Sequence, residues 1–172
     1  MHTREMEPTL TVLKEKTLAG HRQRMSLHAN STVELWRSFI KRQKMQPFPC
    51  SPERYSVQVF DPGYFQNFSP ETTFEKWAAV EVAQSDKVPA DLEMLILPGG
   101  LYAVFMYRGP AKDGPRVFQY ILTEWLPASS YMLDNRPHFE VLGDKYHNED
   151  PASEEEIWIP VKPRLEPPND AT

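Results

Sequence analysis

The chain has 172 residues, a net charge of -5 and a pI near 5.6, which fits one domain with a proper core and argues against a nucleic-acid-binding surface, since phosphate contacts need clustered Lys and Arg. A single cysteine, Cys50, excludes an internal disulfide and a cysteine-rich metal site, and suits a reducing compartment. No apolar run approaches the ~20 residues of a membrane helix and the first residues form no apolar leader, so a soluble, cytoplasmic protein without membrane contact is expected.

Residues 1–8 precede any periodic pattern and read as a flexible N-terminus. Alternation then predicts one long or bent strand within residues 9–27, in which Gly20 allows a bulge or a close backbone approach. Ser31 and Glu34 have capping-box spacing, and Val33, Trp36, Phe39 and Ile40 supply the apolar stripe of a helix that Pro47 and Pro49 end. Arg22, Arg24, Arg37, Lys41, Arg42 and Lys44 are spread over this strand and helix as a solvated face. Residues 55–60 read as a strand with Asp61-Pro62-Gly63 as its exit turn. The loop over 64–73 carries Tyr64, Phe65 and Phe68 and is expected to pack down as a lid. Residues 74–83 read as a third strand, where small Ala78 and Ala79 leave space beside Trp77.

After a linker over 84–91 the order begins again. Residues 92–97 and 101–107 form a strand pair or one strand broken at Pro98-Gly99-Gly100, where glycine permits positive φ. Asp113-Gly114-Pro115 opens a helix whose Phe118, Ile121, Leu122 and Trp125 share one face, and Pro127 stops it. A strand around Phe139-Glu140-Val141, a turn-rich segment over 143–153 and a last strand over 156–161 follow. Residues 163–172 read as a disordered tail.

Each half is thus strand, helix, strand, strand. The match in order implies two pseudo-repeats, about 9–83 and 92–161, within a single domain over 9–162. It sets the helix of Trp36 against that of Trp125, Gln58 against Glu140, and the strand of Trp77 against that of Trp158. The expected fold class is α+β: a duplicated strand-helix-strand-strand (SHS2) unit forming one antiparallel sheet, with two helices on one face and a central cleft flanked by Gln58 and Glu140.

The run from Arg136 to Gly143 puts a carboxylate in the middle of a half-buried strand. Glu140 faces one side with His138 and Leu142, while Phe139 and Val141 face the other. Either the Glu140 side lines a hollow, where an unpaired charge is costly unless a cation, proton or hydrogen bond compensates, or it points into solvent. Glu81 is a candidate second carboxylate at what reads as a solvent-facing position, and Glu154-Glu155-Glu156 reads as a solvated strand start. The five histidines show no metal-ligand spacing, so neither metal nor cofactor is expected.

Four ordered motifs resemble one family: the run from Gly99 to Gly109, Glu124-Trp125-Leu126-Pro127-Ala128-Ser129-Ser130-Tyr131, Arg136-Pro137-His138-Phe139-Glu140, and Glu156-Ile157-Trp158-Ile159-Pro160-Val161. Together they look like the GyrI-like effector-binding domain, which also ends AraC-type and MerR-type multidrug regulators, and the first half looks like its standalone branch. The resemblance implies the duplicated fold just described, an aromatic cleft and Glu140 as the cleft carboxylate. The tyrosine that the family carries two places later is replaced by Leu142.

Three functions follow as expectations. The first is binding of a bulky hydrophobic or aromatic small molecule, neutral or cationic, as a sensor, carrier or xenobiotic-protection protein. Its ligand residues would be Glu140, Gln58, Tyr55, Trp77, Tyr102, Phe105, Tyr120 and Trp125. The second makes the chain an enzyme, a hydrolase of electrophilic cyclopropanoid-type toxins with Glu140 catalytic, because a carboxyl in a dry pocket can act as general acid or base. The third is interaction with a protein partner such as gyrase or a regulator. Without a helix-turn-helix, direct contact with nucleic acid is not expected.

Overall fold

The alternating N-terminal run breaks at Lys14-Glu15 into two strands, β1 (Thr9–Leu13) and β2 (Lys16–Met25), in a computed structural model that describes residues 6–83, 87–147 and 149–165. Helix α1 (Thr32–Met45) and strands β3 (Arg54–Val59) and β4 (Phe74–Glu81) complete the first half. The second runs through β5 (Glu93–Leu97), β6 (Gly100–Arg108) and helix α2 (Gly114–Tyr120), which continues through a π-helical turn at Ile121–Trp125 and a last turn at Leu126–Ala128. Strands β7 (Tyr131–Leu133), β8 (His138–Leu142) and β9 (Glu154–Pro163) close the order.

The strands form one antiparallel sheet in the order β1-β6-β9-β8-β3-β4-β2-β5, with β7 pairing beside β9. The class is α+β as expected. The central strands are β3 and β8, and outward from them β4 and β9, then β2 and β6, then β5 and β1 occupy corresponding places. Register carries the correspondence to single residues, since Val57 of β3 stands opposite Phe139 of β8, Val57 also opposite Trp77, and Phe139 opposite Trp158. Each tryptophan donates its indole N–H to the glutamate two residues before it: Trp77 to Glu75 at 2.6 Å and Trp158 to Glu156 at 2.9 Å.

Lateral neighbours in a sheet point the same way. Ile157, Glu140, Ser56 and Ala78 therefore form one row on one face, and Trp158, Phe139, Val57 and Trp77 form another on the opposite face. Helix α1 covers the first face over β2 and β4, packing Leu35 and Phe39 with Met25, Phe74, Ala78 and Val80. Helix α2 covers the same face over β6 and β9, packing Val117 and Ile121 with Phe105, Ile157 and Ile159. Among the described residues the opposite face has no helix, yet Leu18, Val57, Leu97 and Tyr102 on it are fully buried. The reason lies in two short links. Lys14-Glu15 joins β1 at one edge of the sheet to β2 near the other, so Leu13 and Lys16 are at most about 11 Å apart. Pro98-Gly99 does the same from β5 to β6. The sheet must curl until its edges meet, and it encloses its own bare face.

Several expectations change. The first strand is two strands, each paired into a different half. Gly20 does provide close approach: a Cβ there would lie 2.0 Å from the Ala78 carbonyl oxygen. The α1 stripe turns on Leu35 and Phe39, with Val33 exposed. Ser31 makes no side-chain cap bond; instead Asn30 Oδ1 accepts the Thr32 N–H at 3.0 Å. Pro127 sits inside the helix rather than stopping it, because the π turn before it widens the spiral where proline lacks an N–H and crowds the preceding turn. The shift brings Val117, Ile121 and Leu126 inward and leaves Phe118, Leu122 and Trp125 at the edge of that core. At the N-terminus Met6 is buried under α2, while residues 1–5 lie outside the described set. Pro163 ends β9 and Arg164 donates to the Leu126 and Tyr131 carbonyls, so residues 163 and 164 belong to the fold; residues 166–172 lie outside the described set.

Candidate functional site

Between the cores under α1 and α2 lie the central strands, and their inner row is polar. Among the described residues seven polar or charged side chains are buried, and five of them, Ser56, Gln58, Lys76, His138 and Glu140, sit on the helix-facing side of β3, β4 and β8. Such burial is costly without partners. Glu140, 8% exposed, accepts a hydrogen bond from Gln58 Nε2 at 2.9 Å. The same amide leaves its Oε1 buried with no hydrogen-bond partner among the described residues.

Three residues that the sequence reading assigned elsewhere or passed over complete this centre. Burial lowers the Lys76 ammonium, against the attraction of Glu140 and Glu155. Burial, reinforced by the Glu140 charge and opposed by Lys76, pushes the Glu155 carboxyl up to about 8, so it holds its proton at neutral pH. Tyr146, from the turn-rich connection between β8 and β9, is half-buried and pushed up to about 12 by burial and by the charges of Glu155 and Glu140. Its phenol stands near the carboxylates although position 142 is leucine.

Glu155 is therefore not a solvated strand start. It continues the buried row of Ile157, Ile159 and Val161 by alternation, which was visible in the sequence. Lys76 likewise shares parity with Phe74, Ala78 and Val80. Tyr146 lies in an irregular segment where no period marks it.

His138 is stacked on Phe65 at 5.5 Å and edge-on to Phe60 at 4.9 Å, and burial pushes it down to about 3, so it is neutral at physiological pH. The loop over 64–73 does pack down: Tyr64 and Phe65 join Phe60 and Phe74 in one aromatic cluster beside His138, while Phe68 is exposed.

The eight ligand candidates do not converge. Glu140 and Gln58 meet at the centre of the helix face. Phe105, Tyr120 and Trp125 belong to the core under α2, with Phe105 edge-on to Trp125 at 5.1 Å. Tyr55, Trp77 and Tyr102 face the opposite side. Tyr102 donates its hydroxyl to the Pro137 carbonyl at 2.8 Å and carries the Arg136 guanidinium 4.7 Å from its ring. Trp77 is capped by Arg22 at 6.0 Å. Glu81 also lies on that side, bound to Lys16 at 2.7 Å, and is no second carboxylate for Glu140.

Residues 6–162 match the GyrI-like small molecule binding domain, and the chain belongs to that family. The fold is shared with the EcmrR C-terminal domain (TM-score 0.68, 16% identity, 93% of this chain and 99% of that one). It is shared too with SAV2435 bound to tetraphenylphosphonium (0.65, 18%, 91% and 94%). A hydrolase encoded by lin2189 from Listeria innocua is similar at TM-score 0.55, with 11% identity over 91% of this chain and 92% of that one. No curated protein matches in sequence. Among the described residues no helix is long and apolar enough to cross a membrane, and no group of three His, Cys, Asp or Glu side chains could hold a metal ion.

Proposed function

We propose that this chain captures a bulky hydrophobic small molecule at Glu140, between α1 and α2, with the glutamate as polar anchor. The observation that carries the reading is the amide of Gln58, which orients Glu140 while keeping its own Oε1 buried and unpaired among the described residues. A buried acceptor without a donor is destabilising by about 1–3 kcal/mol, and an N–H or O–H group on a ligand relieves it. Glu155 is protonated at neutral pH and the buried Gln58 Oε1 can only accept, so the site suits a ligand that donates a hydrogen bond. Membership of a small-molecule-binding family supports capture of a small molecule, and the tetraphenylphosphonium bound to SAV2435 is a precedent on the same fold for a bulky aromatic body, though not for a hydrogen-bond donor. Because Glu140 is enclosed, a ligand enters by displacing part of its cover.

The test compares 2-naphthol with 2-methoxynaphthalene, which lacks the donor, by calorimetric titration. The wild type should prefer the naphthol by about tenfold, roughly one buried hydrogen bond; Gln58→Leu, which removes the unpaired acceptor, should erase the preference, and Glu140→Gln should reduce it. Equal affinities for both compounds in all three proteins would end this reading.

A second reading rests on Glu155. A protonated carboxyl at about 8 beside the Glu140 carboxylate is an acid and base pair whose environments differ. Glu140 would take a proton from water as the oxygen attacks a strained electrophilic ring, and Glu155 would protonate the carbon released as the ring bond breaks. Turnover of a cyclopropanoid electrophile, lost in both Glu140→Gln and Glu155→Gln with binding retained, would establish the hydrolase; turnover that survives both would reject it.

A further inference from the structure

The curl of the sheet leaves a groove of about 390 Å³ on the side away from the helices, at the corner where the edges meet. Its walls are apolar and aromatic: Leu13, Tyr55, Phe139, Val141 and Trp158. Phe139 and Trp158 stack at 5.1 Å and 16°, and Tyr55 leans on Phe139 at 6.0 Å. Three carboxylates, Glu53, Glu81 and Glu156, border it together with one cation, Lys16. Lys16 is committed to Glu81 at 2.7 Å, and Glu81 also accepts the Tyr55 hydroxyl at 3.4 Å. Glu156 accepts the Trp158 indole N–H at 2.9 Å, and among the described residues neither Glu53 nor Glu156 has an ion-pair partner. All three carboxylates act on the Tyr55 phenol, which burial and their charges push up. Register sets Glu156 beside Val141 and Val141 beside Tyr55 on this face, and Glu81 accepts the Tyr55 hydroxyl, so acids gather along one wall of the groove.

We propose that this groove is a second binding site, taking an organic monocation with an apolar body, of the aryl- or alkylammonium class. Three acids against one lysine leave an excess of negative charge over aromatic walls, and low-dielectric walls strengthen its pull on a cation. A neutral ligand would cover Glu53 and Glu156 without compensating them, and an anion would be repelled. The volume suits one small ligand rather than a peptide. The inference does not rest on the Glu140 reading, because β8 separates the sites: Phe139 and Val141 face the groove while Glu140 faces the helices.

The experiment titrates benzyltrimethylammonium and its uncharged carbon isostere, neopentylbenzene, by calorimetry. The cation should bind saturably, at least about tenfold tighter than the isostere, and weaken several-fold between about 50 and about 500 mM salt. The double variant Glu53→Gln/Glu156→Gln should lose that advantage, whereas Glu140→Gln should leave it unchanged. Lys16→Met, which frees Glu81, should tighten the cation and keeps the proposal testable if the double variant fails to fold. No saturable binding, equal affinity for cation and isostere, no tightening in Lys16→Met, or a loss that follows Glu140→Gln would each overturn it. If the naphthol preference vanishes while the cation still binds, the Glu140 reading alone has failed.

Discussion

The two faces of the sheet are buried by different means, and their chemistry differs accordingly. The helix face is closed by separate elements laid upon it, and the gap between those elements collects Gln58, Lys76, Glu140 and Glu155. The other face is closed by the sheet bending over itself, so its interior is apolar and charges such as Lys16 and Glu81 stand at the rim, each keeping about a third of its side chain exposed. Among the described residues the buried Lys76, His138 and Glu140 all lie on the helix face, where two packed units meet.

Substitutions on adjacent residues of β8 give the largest test of this contrast. Phe139→Ala removes a ring packed against Tyr55, Tyr102 and Trp158, and should destabilise the fold by about 3–5 kcal/mol in a denaturant titration. Glu140→Gln, one residue along and on the other side, should cost far less because glutamine can still accept from Gln58. If the two variants lose stability equally, the faces are not energetically distinct.

Next comes pH. The folded chain keeps the Glu155 proton up to about 8, whereas the unfolded chain releases it near the ordinary value of 4.5. Between those values the folded state binds more protons, so stability falls as pH rises, by up to about 1.4 kcal/mol per pH unit, and levels off above 8. Glu155→Gln should flatten this contribution, and Glu140→Gln should move its upper end to lower pH by removing a repelling charge. Urea unfolding at intervals between pH 5 and 9 reads the slope; an unchanged slope in Glu155→Gln would place that proton elsewhere.

The smallest effect belongs to the rim. Lys16→Met breaks a partly exposed ion pair and should shift stability by under about 1 kcal/mol, measured by thermal unfolding, even though it changes the charge of the groove. A larger loss would mean that the corner where the edges meet depends on that pair.

Much of this was readable from the chain. Alternation in residues 55–60 and 138–142 put Gln58 and Glu140 on one side and Phe139 and Val141 on the other, and the four family motifs pointed to the same glutamate. Parity also marked Lys76 and Glu155, since each continues a row of apolar residues, but a charged residue at a strand end or beside tryptophan reads equally well as solvated. Tyr146 could not be found, because an irregular connection has no period. Nor could the division of Tyr55, Trp77 and Tyr102 from Glu140 be used, because aromatic residues suggested one shared cleft until the sheet showed two enclosed sides.

Sequence alone thus placed most strands, both helices and the residues that share a side of a strand, because backbone alternation and helical spacing are local properties; the break at Lys14-Glu15 and strand β7 were not among them. Tertiary structure decided that both sides are enclosed and which charges meet. Lys76, Glu140, Glu155 and Tyr146 come from separate segments, and only the paired register of the sheet and its closure through two short links bring them together.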